Sequence, residues 1–251
     1  MRRQWLLLAA AVGLVVVGLA AGAAQGGEKI KLFFLQGGGH DWKGNFAILQ
    51  TILEKMGDFE ITASNDLNEL KAENIKKYNL VLFYGSGLNF ADAEQEKGLL
   101  EFVKGGGAFA GIHSATDSFK RSAGYWEMIG GRFKGHGGGK FWTRIVDKDH
   151  PITKGLEDFE IHDETYSHSY FKGFEPHSLV KIDRGAEQQS MGWCHEYGKG
   201  RVFYTSLGHG REAWSNPAFQ RLVVRGLYWA AGREPKDPPA MEPVPPKKRA
   251  G

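Results

Sequence analysis

Three histidines, His40, His113 and His209, each stand soon after a segment that is typical of a buried strand. The carboxyl ends of parallel strands meet at one edge of a sheet, so these residues are expected in one crevice although they lie far apart in the sequence. Neutral imidazoles are good ligands for zinc and similar divalent ions, and they are also the usual general acids and bases near neutral pH. One such histidine is more often structural than functional, but three at the same edge indicate a functional crevice. The residues leave open whether the crevice binds a metal or moves protons.

The segments around these histidines predict an open α/β sheet. Apolar runs bounded by turn residues predict strands at residues 30–35, 59–63, 80–84, 108–112 and 201–207. Apolar residues at helical spacing predict helices at residues 45–56, 93–103, 125–129 and 218–230. Strands that alternate with helices in this way predict a doubly wound parallel sheet with helices on both faces.

The pattern changes after residue 129. Residues 130–150 are rich in glycine and alternate between apolar and polar side chains, which predicts an inserted β-hairpin region. Residues 151–195 contain short strand-like runs without clear helices. Six of the nine prolines follow Arg233, so residues 233–251 are predicted to form an extended tail that does not pack against the domain at 26–232.

Composition limits the classes of function. The 251 residues, 41% of them hydrophobic, suffice for one sizeable core. The 32 basic and 29 acidic residues are nearly balanced, which argues against a nucleic-acid partner. The single cysteine, Cys194, can form neither an intrachain disulfide nor a thiolate-rich zinc site, so a metal would be held by His, Asp or Glu. We interpret Cys194 as a packed, inert thiol.

Residues 1–25 have the pattern of a secretory signal peptide. Arg2 and Arg3 precede an apolar stretch, and small residues at 21–23 provide a cleavage site, so the mature protein is predicted to be periplasmic or extracellular. The alternative is a retained N-terminal anchor, because almost 20 apolar residues could span a bilayer. Residues 2–6 also resemble a twin-arginine export signal. After cleavage, no stable membrane insertion is expected.

Two further motifs exclude common chemistries. The turn around His113 resembles the elbow on which hydrolases place a nucleophile, but its apex is a histidine, which serves better as a base or ligand. Ser114 follows, without a supporting base and acid that could be placed beside it. The glycines at 37–39 lack the Lys and Ser/Thr of a P-loop and the spacing of a dinucleotide fingerprint, so they predict a tight turn and no nucleotide cofactor.

Two polar segments could complete the crevice. His136 lies on a glycine-rich segment that we interpret as a flexible loop reaching back over the pocket. Residues 162–166 carry two acids and a tyrosine, and a carboxylate beside a histidine cluster can complete a metal shell or act as a base. For His162 and Asp163 the favoured interpretation is a solvated turn.

Six strings resemble the ThuA-like (trehalose utilisation) family in order along nearly the whole predicted domain. They are GGGHDW at 37–42, GGAFAGIHSA at 106–115, GGRFKGH at 130–136, DHPITKGL at 149–156, DETY at 163–166 and GKGRVFYTSLGH at 198–209. The resemblance implies a flavodoxin-like, class I glutamine amidotransferase-like fold. It also implies that His113 takes the place of the amidotransferase cysteine, so glutaminase activity is not expected.

The resemblance further implies a carbohydrate ligand, namely glucosides or 3-keto sugars, because related proteins occur with oxidoreductases that make 3-keto sugars. By the same resemblance the pocket comprises His40, His113, His136, Glu164 and His209, with Trp42 and Tyr166 beside them. We therefore assign three sets of residues. They are catalytic His113, Glu164 and Tyr166; substrate-binding His40, Asp41, Trp42 and Ser114; and metal-binding His113, His136 and His209.

Two hypotheses follow from these assignments. The first is a hydrolase, lyase or isomerase of keto-glycosides that uses zinc or another divalent metal. The second is a non-catalytic sugar-binding module whose histidines form hydrogen bonds with the ligand. Both predict a small-molecule carbohydrate as the partner, and both leave a homo-oligomer open.

Overall fold

The computed structural model describes residues 28–182 and 189–240. The strands are β1 Ile30–Gly37, β2 Phe59–Ser64, β3 Leu80–Gly85, β4 Ala108–Ile112, β5 Gly131–Ile145, β6 Phe159–Tyr170, β7 His177–Ile182, β8 Ser190–Tyr197 and β9 Gly200–Thr205. The helices are α1 Trp42–Met56, α2 Ala72–Ile75, α3 Ala93–Lys104, α4 Ala123–Ile129, α5 Arg211–Trp214 and α6 Pro217–Ala230, with short 3₁₀ turns at Leu67–Leu70 and His113–Asp117. The predicted signal peptide lies outside the described residues.

All nine strands of the described chain form one sheet, in the order β2-β1-β3-β4-β9-β8-β7-β5-β6. From β2 to β9 the neighbouring strands are parallel, which confirms the five predicted parallel strands. From β9 to β6 the neighbours are antiparallel. The sheet is therefore mixed. The first four strands of the chain are parallel, and the last strand, β9, adds to them as the fifth parallel strand.

The antiparallel half is larger than the predicted hairpin. The partner of β5 is not inside residues 130–150 but is β6, and the two strands pair from Gly131↔Tyr170 to Thr143↔Phe159. Alternation along the sequence indicated a strand here, but it could not indicate which distant segment would pair with it. The region after residue 129 thus extends the main sheet by four strands, β5 to β8.

Helices cover both faces of the parallel half. Leu32 and Phe34 of β1 pack in one apolar layer with α1 and α6, whereas Phe33 and Leu35 pack in the other with α3 and α4. Burial on both faces explains why these strands are continuous apolar runs in the sequence. The predicted α/β fold is confirmed.

The first part of the predicted tail is packed against the domain. Residues 233–240 contain no helix or strand, but Asp237 pairs with Arg221 at 2.6 Å and with Arg225 at 2.9 Å. The expectation of an unpacked tail is therefore wrong for residues 233–240, because α6 offers two arginines to one acid. Residues 241–251 lie outside the described chain.

Among the described residues, none of the helices combines the length and the hydropathy that crossing a membrane requires.

Candidate functional site

Three strand ends bring three histidines together. His40 follows β1, His113 follows β4 and His209 follows β9, and one ring nitrogen from each lies within 4.8 Å of the others. The ring of His40 is 4.8 Å from that of His113 and 4.8 Å from that of His209, measured between centroids. We call these residues the histidine group.

The backbone that carries two of these histidines is strained. His40 has φ of 49° and His113 has φ of 51°, both in the left-handed region that non-glycine residues rarely adopt. Gly38 makes the turn before His40 possible, because a Cβ at this position would lie 1.9 Å from the Ser86 carbonyl oxygen. Such conformations cost roughly 1–3 kcal/mol each and cluster at functional sites.

The tautomer of His113 follows from its contacts. Nδ1 lies 2.6 Å from the Ser206 carbonyl oxygen, which can only accept, so Nδ1 carries the proton. The lone pair of Nε2 therefore points into the histidine group, where the Tyr166 hydroxyl donates to it at 2.9 Å. His113 is fully buried, and burial holds its pKa well below the ordinary value. The ring is neutral at physiological pH.

Glu164 on β6 contacts three imidazoles. Its carboxylate oxygens lie 3.5 Å from His113 Nε2, 3.2 Å from His209 Nδ1 and 3.5 Å from His136 Nδ1. The side chain is one-fifth exposed, so it is reached from solvent at one side of the group. The carboxylate is placed to bind a metal beside the histidines or to exchange protons with them.

A β-bulge turns His136 towards this carboxylate. Phe133 pairs with His168 and Gly135 pairs with Ser167, so Lys134 is an extra residue in β5. The bulge leaves Phe133 and His136 on the same face of β5, and their rings lie 6.1 Å apart. The expectation of a flexible loop is wrong here, because residues 131–145 form a strand whose residues 131–143 pair with β6.

The distances within the site suit a small metal ion. His113 Nε2 and His209 Nδ1 are 3.3 Å apart, and the two Glu164 oxygens lie beside them, Oε2 at 3.5 Å from His113 Nε2 and Oε1 at 3.2 Å from His209 Nδ1. An ion with bonds of roughly 2.1 Å at tetrahedral angles separates its ligand atoms by about 3.4 Å. Imidazole and carboxylate are also ligands that zinc accepts, so the residues fit such an ion.

His40 and His136 lie at different places in the site from those that the predicted roles suggest. His40, predicted to bind substrate, lies in the histidine group. Its pKa is lowered, mainly by burial and to a smaller extent by the nearby His209. His136, predicted to bind metal, lies outside this group with its side chain 52% exposed. Its contact to Glu164 places it at the solvent side of the site.

Asp163 is buried, in contrast to the solvated turn that was expected. It is 6% exposed and accepts hydrogen bonds from the backbone N–H groups of Gly208, His209 and Glu164. Burial raises its pKa to about 7, although the three N–H donors favour the ionised form. Its neighbour His162 is exposed and pairs with Glu212, as a solvated residue would.

Of the remaining predicted substrate residues, Asp41 and Trp42 have structural contacts and Ser114 is buried. Asp41 caps α1 by accepting a hydrogen bond from the Gly44 N–H, and Trp42 is partly buried against the apolar layer of α1 and α6. Ser114 is 1% exposed, and its hydroxyl has no hydrogen-bond partner among the described residues.

Several polar residues of the site were not predicted from the sequence. Tyr84 is the last residue before Gly85 at the end of β3, close to the edge where the histidines follow their strands, so the same strand-end signal could have found it. Asp117 follows His113 by four residues and accepts a hydrogen bond from Ser86 at 2.9 Å. Asn45 and Trp214 had no signal beyond their polar atoms, because both lie on helices among apolar neighbours.

The cysteine is remote from this chemistry. Cys194 is buried on β8, its sulfur lies 3.5 Å from His150 Nε2, and burial raises its pKa to about 12. A protonated, buried thiol agrees with the interpretation of an inert residue.

The comparisons with known proteins point to one family. The family model for trehalose utilisation, ThuA, matches residues 31–230. No curated protein matches the chain significantly.

Solved structures share the fold. A ThuA-like protein from Parabacteroides merdae has a TM-score of 0.72 at 22% identity, over 82% of this chain and 92% of that chain. A ThuA-like protein from Bacteroides uniformis has a TM-score of 0.68 at 18% identity, over 85% and 95%. A GMP synthase component from Thermoplasma acidophilum has a TM-score of 0.50 at 13% identity, over 82% and 95%. At these identities the likeness shows the fold alone, and this fold is glutamine amidotransferase-like.

Proposed function

The chain belongs to the ThuA family, and we propose that it is an exported protein that acts on carbohydrates in a metal-binding pocket. Glucosides and their 3-keto derivatives are the proposed substrate class. The observation that carries the proposal is the cluster of donor atoms from His113, His209 and Glu164, with separations of 3.2 to 3.5 Å. The description of the family as trehalose utilisation supports a sugar as the ligand.

The proposed metal ligands are His113, His209 and Glu164, with His40 as a further imidazole in the histidine group. A divalent ion such as zinc would polarise a carbonyl or hydroxyl oxygen of the sugar when bound there. Low pKa values of His113 and His40 support this role, because a ligand imidazole must be neutral.

Two side chains are suited to handle protons beside such a site. With one Glu164 oxygen on the metal, the other oxygen would be free to take a proton from a sugar carbon or hydroxyl, and His136, whose Nδ1 lies 3.5 Å from Oε1, can share that proton. Burial raises the pKa of Tyr166, which keeps its hydroxyl a hydrogen-bond donor. These roles fit a lyase, an isomerase or a hydrolase that works on a keto-glycoside.

Turnover tests this function. The purified protein is incubated with 3-keto-glucosides, with and without a chelator, and the products are followed by mass spectrometry. We expect turnover that the chelator abolishes and zinc restores, and His162→Ala, which changes an exposed histidine, should keep it. Sugar binding with neither bound metal nor turnover would contradict the enzyme and favour a sugar-binding module.

Export rests on residues 1–25 alone. N-terminal sequencing of the protein from a periplasmic fraction tests it, and we expect the mature chain to start between residues 22 and 27. A chain that keeps Met1 in the cytoplasm would contradict export and leave the proposed chemistry untouched.

A further inference from the structure

We propose that Asp163 is a positioning residue that fixes the spacing between Glu164 and His209. The inference rests on the proposed function, because both residues belong to the proposed pocket. It concerns a residue that touches neither a sugar nor a metal and acts through the backbone of its neighbours.

The contacts of Asp163 join the two sides of the pocket. One carboxylate oxygen, Oδ2, accepts from the Gly208 N–H at 2.6 Å. The other, Oδ1, accepts from the His209 N–H at 3.0 Å and from the Glu164 N–H at 2.8 Å. A buried carboxylate is costly unless its oxygens are hydrogen-bonded, and here each of its bonds goes to the backbone of the pocket.

Hydrogen bonds between neighbouring strands cannot fix the distance between Glu164 and His209. Glu164 lies on β6, at the edge of the sheet, whereas His209 follows β9, and β8, β7 and β5 stand between the two strands. No ladder of backbone hydrogen bonds therefore joins them directly. Asp163 makes the direct link, since it is in β6 and bonds to the turn after β9.

The same turn is held from its carbonyl side. Gly208 O accepts from the Tyr84 hydroxyl at 2.9 Å and from Trp214 Nε1 at 2.8 Å, and the Asn45 amide donates to His209 O at 3.4 Å. All these partners are buried. The N–H and C=O groups of both turn residues are thus hydrogen-bonded to buried side chains, which leaves the His209 ring as the part of the turn available for chemistry.

Titration with Co²⁺, a spectroscopic substitute for zinc, tests the inference. Asp163→Asn keeps the shape of the side chain but places an amide against backbone N–H groups. Loss of a hydrogen-bond partner that orients a metal ligand typically weakens metal binding about tenfold or more. We expect the Co²⁺ affinity of Asp163→Asn to fall by this amount and its visible absorption band to change. The matched control is Asp158→Asn, which also removes a carboxylate that accepts a backbone N–H, that of Ile145, but outside the pocket. It should bind within about twofold of the wild type.

Two results would overturn the inference. The first is a folded Asp163→Asn protein with wild-type Co²⁺ affinity and spectrum. The second comes from Tyr84→Phe, which removes the hydroxyl that donates to the Gly208 carbonyl oxygen in the same turn. This variant replaces Asp163→Asn as the test if Asp163→Asn does not fold. We expect this variant to lose about threefold in affinity, the effect of one hydrogen bond, and unchanged binding would contradict the proposal.

Failure of the proposed function gives a different result. If the wild type binds no Co²⁺, the metal pocket is refuted, and amide hydrogen exchange then reports on the positioning role. We expect faster exchange at Gly208 and His209 in Asp163→Asn than in Asp158→Asn. Equal exchange in the two variants would overturn the role of Asp163.

Discussion

At the scale of single residues, His113 has the most restricted chemistry. Its proton is fixed on Nδ1 by the Ser206 carbonyl, its ring is buried, and its Nε2 lone pair faces Glu164 and His209. A carbonyl behind a histidine is the arrangement that orients imidazole ligands in metal sites. The geometry therefore favours His113 as a ligand rather than as a base.

Glu164→Gln tests the carboxylate. The substitution keeps the shape of the side chain and removes the charge that faces three imidazoles. Because Glu164 is itself a proposed ligand, we expect zinc affinity to fall at least about 100-fold, which is more than removal of a hydrogen-bond partner of a ligand typically costs. Competition with a chromophoric chelator measures it. Glu160→Gln changes an exposed acid on the same strand, paired with Lys140, and should bind zinc as the wild type does. Equal affinities of the two variants would contradict the role of Glu164.

Tyr166→Phe separates binding from chemistry. It removes a hydroxyl that lies 2.9 Å from His113 Nε2 and that would be free to donate to the sugar once a metal takes the Nε2 lone pair, and it leaves every proposed metal ligand in place. We expect kcat on a keto-glycoside to fall about 100-fold, with zinc content unchanged. Tyr170→Phe, on the same strand and outside the pocket, is the control. Full activity of Tyr166→Phe would show that this hydroxyl has no part in the reaction.

At the scale of elements, the turn between β1 and α1 sets the position of His40. Gly38 has φ of 63°, and its hydrogen faces the Ser86 carbonyl oxygen at a distance where no side chain fits. Three consecutive glycines predict this turn from the sequence alone. That Ser86, directly after β3, makes Gly38 necessary depends on the packing of the two segments and could not be predicted.

Gly38→Ala tests this turn. The left-handed backbone costs roughly 1–2 kcal/mol for alanine, and the clash with Ser86 adds to it, so we expect a loss of about 3 kcal/mol in the free energy of unfolding. Gly57→Ala is the matched control, because Gly57 has φ of 73° and open space around a Cβ. It should lose only about 1 kcal/mol in chemical denaturation. Equal losses would contradict a steric role for Gly38.

The sequence predicted the parallel strands well and the antiparallel half poorly. Strands β1, β3 and β4 are buried on both faces, so each can be recognised in the sequence as a continuous apolar run. The pairing of β5 with β6 depends on contacts between distant segments, and the bulge at Lys134 depends on that pairing. For this reason the side of the pocket that contains His136, Glu164 and Tyr166 came from family resemblance rather than from periodicity.

At the scale of the whole molecule, partly buried histidines couple stability to pH. Burial lowers the pKa of His168 to about 3 and that of His195 to about 4. Below about pH 6.5 the unfolded chain protonates both while the folded chain does not, so stability falls as the pH falls, by about 1.4 kcal/mol per pH unit for each histidine. Asp163 acts in the opposite direction between about pH 7 and its ordinary pKa of 3.8, because over this range the folded chain binds the proton and the unfolded chain does not, so its contribution to stability rises as the pH falls.

His195→Gln isolates one of these contributions. Its amide can still donate to the Met128 carbonyl oxygen, the partner of His195 Nε2, but it cannot titrate. Between pH 6 and about 4.5 we expect the variant's free energy of unfolding to fall less steeply than that of the wild type, by about 1.4 kcal/mol per pH unit. Urea denaturation across this range measures both slopes. Parallel slopes would contradict a neutral, partly buried His195.

The histidine group shows how distant parts of the described chain meet in one place. His40, His113 and His209 are separated by 169 positions in sequence from first to last, yet the fold brings their nitrogens within 4.8 Å. The strand-end rule predicted this meeting, since it depends on topology alone. Asp163 and the residues around Gly208 were not predictable, because their role depends on the relative position of β6 and β9.

Elemental analysis of the purified protein tests the central claim most directly. The wild type, the His113→Ala/His209→Ala double variant and the exposed-site control His162→Ala are measured after incubation with excess zinc and removal of unbound metal. We predict about one equivalent of a divalent metal in the wild type and the control, and almost none in the double variant. Wild-type protein without metal, or a double variant that keeps it, would contradict a metal pocket at the histidine group.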